Sequence, residues 1–223
     1  MTWVGGGTRR TGDYDTPAGT VENSKTELSS GRAGLGFSGE RLFASGGFTI
    51  EDGRYGVPFV GDIHGHHGHE SEEHEEEEGE HEEGEHEEEE HEEELFIDLD
   101  TQRRVGRFNV GMRDLNNRIL DSFNVVFSVI DWHHDEIEVE QGTEKLATAF
   151  DNRSYVVRAD LNQRQTERLS GKFGVWSQFR NFRVVGEEAL TPQTDQAAFA
   201  VFAYEELDLG RYRVQFGGRL ERN

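Results

Sequence analysis

The chain contains no cysteine, which excludes structural disulfides, thiolate catalysis and cysteine-ligated zinc sites. Proline is scarce, with 3 in 223 residues, whereas glycine is abundant at 27; with few helix signals, that balance points to strands joined by tight turns. No apolar run approaches the ~20 residues of a membrane helix. The first residues, MTWVGGGTRRTGDYD, lack the apolar stretch of a signal peptide. Basic residues are outnumbered, 23 against 46 acidic, for a formal net charge of −23. Phosphate binding needs a basic surface, so nucleic acid is not expected as a partner.

The acidic excess is local. From His64 to Glu94 the chain reads HGHHGHESEEHEEEEGEHEEGEHEEEEHEEE, with 8 His, 18 Glu, 4 Gly and 1 Ser. Removing those glutamates leaves 28 acids against 23 bases, a nearly balanced remainder. The run has no apolar side chain, cannot build a core, and is expected to be disordered. It is dense in imidazole and carboxylate, the donors that Zn²⁺, Ni²⁺ and Cu²⁺ take. Such a run is either a solvated acidic spacer or a metal-collecting loop. Eight interspersed histidines favour collection: His64, His66, His67, His69, His74, His81, His86 and His91. One zinc takes about four ligands, so the run has capacity for more than one ion, at fluctuating rather than fixed sites.

Around this run the pattern is β. Residues 1–24 carry turn chemistry and read as an incoming loop. Residues 25–58 read as a hairpin, with Ala33, Leu35 and Phe37 facing one way and Leu42, Ala44, Gly46, Phe48 and Ile50 continuing that face after a turn at Gly39–Arg41. Residues 59–94 form the His/Glu-rich loop. Residues 95–223 read as six further strands. In the longest, 119–139, Phe123, Val125, Phe127 and Val129 oppose Ser122, Asn124 and Ser128. Glu140–Lys145 reads as a loop. The expected fold is therefore all-β: an antiparallel, up-and-down transmembrane β-barrel segment of about eight strands. Its connectors alternate short and long, its apolar face meets lipid and its polar face lines a wet lumen. The alternative is a soluble β-sandwich or lipocalin-like barrel with a compact core on one face.

By strand parity His134 and Glu136 face the lumen with Trp132 and form a candidate ligand pair, while His133 faces the other way. Their alternative is a pair of rim residues without a ligand. Trp132, Tyr155, Trp176, Phe182 and Tyr204 suit the aromatic girdles of a barrel. Glu187 and Glu188 read as loop acids. No nucleophile–base pair, phosphate loop or acid/base pair appears, so no enzyme activity and no prosthetic group are expected.

Several segments resemble TonB-dependent outer-membrane receptors, most closely the zinc-uptake (ZnuD-type) receptors. Gly12–Pro17 and Glu22–Ser24 look like the loop before a descending strand, and Gly39–Arg41 like a periplasmic turn. Tyr55-Gly-Val-Pro58 is similar to the segment preceding a His-rich extracellular loop, and Asp98–Arg103 to the strand returning from it. Asp131–Glu136, Gly186–Pro192, Phe202–Glu206 and Phe216–Glu221 resemble later strand ends and loops, in the same order. The resemblance implies a cell outer membrane location with the His/Glu loop extracellular. It implies import of a divalent metal, zinc first, as transported ligand. Lumen carboxylates and His134 would pass the ion inward. Energy would come from the TonB complex through a plug domain not found in these residues. The chain then reads as an internal piece of a larger barrel set in the lipid bilayer. A non-transporting surface metal-binding protein and a receptor for a siderophore or other metal chelate are the competing readings.

Overall fold

A computed structural model of the chain describes residues 1–58, 95–186, 189 and 191–223. These residues contain no helix and eleven strands: β1 (Thr2–Thr11), β2 (Tyr14–Thr16), β3 (Gly19–Val21), β4 (Thr26–Ser38), β5 (Leu42–Val57), β6 (Leu95–Met112), β7 (Leu120–Glu140), β8 (Thr143–Gln163), β9 (Leu169–Gly186), β10 (Thr194–Asp208) and β11 (Arg213–Arg222). Nine form one sheet in the order β1-β4-β5-β6-β7-β8-β9-β10-β11, each antiparallel to its neighbour; β2 and β3 pair separately. The chain is all-β, antiparallel and up-and-down.

Residues 1–24, expected as a loop, hold the ninth strand. Thr2–Thr11 has three successive glycines and no apolar alternation, so side chains do not mark it. It is a strand because its backbone pairs with β4 from Thr2↔Leu35 to Thr11↔Thr26. The segment Glu140–Lys145, also expected as a loop, is strand on both sides of a two-residue turn. Gln141 (φ 49°) and Gly142 (φ 78°) both take positive φ, the combination that matches the twist of a tight hairpin. The alternation of short and long connectors breaks there. Elsewhere one end of the sheet carries the connectors 39–41, 113–119, 164–168 and 209–212. The other carries 12–25, the run through 94, and 187–193. We call these the turn end and the loop end.

Register carries each face across the sheet. One row joins Leu35, Gly46, Phe108, Phe127, Val157, Ser177 and Phe199. The row toward the turn end joins Phe37, Ala44, Val110, Val125, Ala159, Val175, Val201 and Leu220. With the rows through Phe48, Val129 and Phe179 and through Leu42, Phe123 and Phe173, these four rows make an apolar band. Rows two residues apart are separated by ~6.8 Å, so the band is about 20 Å between its outer rows, and side chains extend it further. Beyond it, toward the loop end, the same face turns charged: Arg104, Asp131, Arg153, Asn181 and Asp195 form the next row.

The opposite face is polar. Its rows include Arg32, Thr49, Ser154, Arg180 and Gln196, and next to it Gly34, Gly47, Arg107, Ser128 and Gln178. The apolar band is not covered. Leu35 is 66% exposed, Phe108 57% and Leu220 76%, and the buried apolar residues among those described are only Val21, Ala147, Ala198 and Ala200. The compact core of a β-sandwich has no counterpart among the described residues.

Candidate metal centre

The stem of the His/Glu run is built at the loop end. The last register pair of β5 and β6 is Val57↔Ile97. Asn23, in the 12–25 connector, donates from Nδ2 to the carbonyl of Ile97 (2.8 Å) and to that of Val57 (3.3 Å). It holds φ 54° and is only 7% exposed. Asparagine suits that place because its short amide tolerates the left-handed region. Gly56 is required beneath it, since a Cβ there would overlap the Asn23 carbonyl and amide. One pair down, Asp98 is 1% exposed; Arg54 Nε donates to its Oδ2 at 2.9 Å, and Lys25 Nζ stands 3.3 Å away. Arg54 also reaches Glu144 on β8 at 2.7 Å. Asn23, Lys25, Arg54, Asp98 and Glu144 therefore tie four separate parts of the chain at the base of the run. None of them stands out by composition or spacing; the one local signal is Asn23 in a turn-rich stretch.

The histidines of the run itself, His64, His66, His67, His69, His74, His81, His86 and His91, lie outside the described residues, as do Glu187 and Glu188. His133 and His134 are described, and both stand beyond the last apolar row. They lie on opposite faces. His133 shares the face of Asp131 and Asp135. Its Nδ1 is 2.7 Å from Asp151 Oδ1, and its Nε2 is 3.0 Å from Asp135 Oδ1. A carboxylate at each nitrogen favours the doubly protonated ring. The hydrogen bond with Asp151 leads in holding its pKa above the usual imidazole value, with Asp135 adding to it and partial burial opposing.

His134 is on the polar face, where parity puts it with Trp132. The two rings stack at 5.3 Å, Phe150 meets His134 edge-on at 5.6 Å, and Trp132 Nε1 donates to Thr101 Oγ1 at 3.1 Å. His134 Nδ1 is buried with no hydrogen-bond partner. Burial pushes its pKa below the usual value, against the charges of Glu136 and Asp135. A neutral ring is the ligand form of imidazole. Glu136 lies two residues further on, opposite Thr148, where the β7–β8 register shifts. Among the described residues no group of three or more His, Asp or Glu is arranged to hold a metal ion, so His134 and Glu136 make a pair and not a complete site.

The polar face differs from the carboxylate-lined path expected. Its acids at the level of the band are engaged, Arg158 gripping Asp160 through two nitrogens and Arg219 bonding Glu221 at 2.8 Å, and past the band Arg103 bonds Glu51 at 3.0 Å. Arg32 and Arg107 have no ion-pair or hydrogen-bond partner among the described residues. At the level of the band this face is net basic, with Arg32, Arg107, Arg158, Arg180 and Arg219 against Asp160 and Glu221. The aromatic girdle is also redistributed. Tyr155 lies on the apolar face, but Trp132, Trp176, Phe182 and Tyr204 lie on the polar one. Guanidinium groups explain two of these: Arg219 sits 5.1 Å from the Trp176 ring centre and Arg180 4.9 Å from that of Phe182, contacts that reward a ring on a charged, wet face.

No protein-family model matches the chain, and no curated protein matches it.

Proposed function

We propose that this chain is part of the wall of a β-barrel receptor of the outer membrane that captures a divalent metal, zinc first, for import. The carrying observation is the exposed apolar band, continuous over the eight antiparallel strands β4 to β11, backed by a polar face and topped at one end by the stem of the His/Glu run. Uncovered apolar surface on this scale needs an apolar partner, and a bilayer supplies one along its whole height. The four apolar rows are then the membrane-spanning segment. The row through Arg104, Asp131 and Arg153 and everything past it lie outside. The acidic, imidazole-rich run concentrates cations by its local field and ligates them through neutral rings. His134, unpaired at Nδ1 and two residues from Glu136, is the first protein ligand below it.

Calorimetric titration of Zn²⁺ into the full chain in detergent at pH 7.5 and at pH 5 tests this reading. Imidazole ligation weakens sharply as the rings protonate near pH ~6.5. Equal heats at both pH values defeat the histidine model. One observation favours a second reading. The net basic polar face, with Arg32 and Arg107 unengaged among the described residues, suits a metal carried as an anionic chelate, which would bind with little dependence on the histidines.

A further inference from the structure

A cavity of about 760 Å³ opens on the apolar band. Its origin is the order of large and small side chains. On β5, Ala44 and Gly46 recede between Leu35 and Phe37 of β4 on one side and Phe108 of β6 on the other. The Phe108 ring leans over Gly46, where a Cβ would stand 3.2 Å from its edge. The result is a groove running along the strand, floored by Ala33, Ala44 and Gly46. Phe48 closes it at the loop end except beside Gly106. A Cβ at Gly106 would meet only Phe108, at 3.8 Å, so a passage stays open there.

That passage leads to Arg104, two residues on and ~6.8 Å along β6 on the same face. Arg104 is exposed, in the first charged row above the band. It has no ion-pair or hydrogen-bond partner among the described residues. Its cross-strand neighbours are Ile50 and Asp131, and Asp131 is taken by Arg153 (3.1 Å). An apolar groove of strand direction, with an unpaired guanidinium at its mouth and at headgroup level, has the chemistry of one ligand class. We infer that the groove between β4 and β6 holds an acyl chain of a bilayer lipid whose phosphate headgroup is bound by Arg104. The inference rests on the membrane reading above. It differs from general lipid contact, because the groove ends within two residues of an exposed cation whose side chain has no partner among the described residues.

The test uses the full chain reconstituted into phosphatidylcholine vesicles. These contain a minor share of phosphatidylglycerol bearing a photoactivatable group midway along one acyl chain. Vesicles are floated, illuminated, and the labelled peptides mapped by mass spectrometry. Labelling is expected to concentrate at Ala33–Phe37 and Ala44–Phe48, several-fold above the equally exposed Phe199, Phe216 and Leu220. Ala44→Trp fills the groove at an exposed position and is expected to lower labelling there to the level of the remaining band. Arg104→Gln is expected to lower groove labelling by the phosphatidylglycerol probe about fivefold, the effect of one basic residue at an anionic surface. A diacylglycerol probe carrying the same group is expected to be unaffected. Uniform labelling of floated protein, or groove labelling unchanged by Ala44→Trp, overturns the lipid site alone. Cross-links between β4–β6 of two chains in place of lipid adducts do the same. Protein left at the bottom of the gradient overturns the membrane reading and the lipid site together.

Discussion

His133 and His134 are adjacent in sequence and opposite in chemistry. One ring lies between two carboxylates at 2.7 and 3.0 Å, the other between two aromatic rings with a buried, unpartnered nitrogen. Proton NMR of the folded chain in micelles is expected to give two imidazole titrations on either side of the ordinary value, His133 above and His134 below. Asp151→Asn is expected to bring His133 down and leave His134 in place; titrations that coincide would contradict the geometry. The sign for stability follows. His133 has a raised folded-state pKa, so its contribution is complete below the unfolded value of ~6.5 and is lost as pH rises through the folded value. The opposite facing of the two rings was legible from strand parity alone. Asp151 was not, because it comes from the next strand, 18 residues away. Asn23 carries a second residue-scale expectation. Asn23→Ala removes both stem bonds and leaves the carbonyls of Val57 and Ile97 short of a donor in a part-buried place. A loss of ~1–3 kcal/mol in a denaturant titration is expected, while Asn223→Ala, at an exposed site outside any strand, serves as the neutral control.

At the scale of the element, the strands that alternate were readable and those that do not were hidden. β7 shows Phe123, Val125, Phe127 and Val129 against serine and asparagine, and its reading as a long strand over 119–139 lies within one residue of Leu120–Glu140. β1 has no such pattern: Gly5, Gly6 and Gly7 present no side chain to either face, and only pairing with β4 makes it a strand. The first half of β8 is masked for a different reason. The register shift opposite Glu136 and Ile137 inserts Ala147, so apolar residues before and after it fall out of phase. The hairpin joining β7 and β8 was missed because Gln141-Gly142 is a weaker signal than Asn-Gly. Its demand on the backbone is nonetheless the same, both φ values being positive. Gly142→Ala has open space around the new methyl but must hold φ 78°, so the cost is purely conformational. About 1 kcal/mol of destabilisation is expected by thermal or denaturant unfolding. Gly218→Ala, with nothing within 4 Å and no positive φ, is expected to be silent. Equal effects would mean that the turn is not in this conformation.

Across the whole molecule, direction of travel limits what the sheet can do. Nine antiparallel strands put β1 and β11 at the two edges, and with an odd number both run from the turn end to the loop end. Direct closure would therefore pair them in parallel. So would edge pairing between two copies that share one orientation in a membrane, since each copy offers only strands of that sense. An antiparallel seam needs an odd number of intervening strands, those next to each edge running the other way. The two edge strands, 10 residues each, are also the shortest of the sheet, while β7 and β8 at its centre reach 21. Every second amide of β1 and β11 faces away from its single neighbour and has no ladder partner, whereas β7 is bonded along both sides. Amide hydrogen exchange of the full chain in detergent should follow this order. The outward amides of β1 and β11 are expected to exchange within the first time point, their inward amides more slowly, and the band region of β7 slowest of all. Uniform protection from β1 through β11 would mean that the edges have found partners, and a parallel seam or a strand of opposite sense would then have to be located. Exchange graded from centre to edge would instead mark this wall as open, with both edges available to strands that complete it.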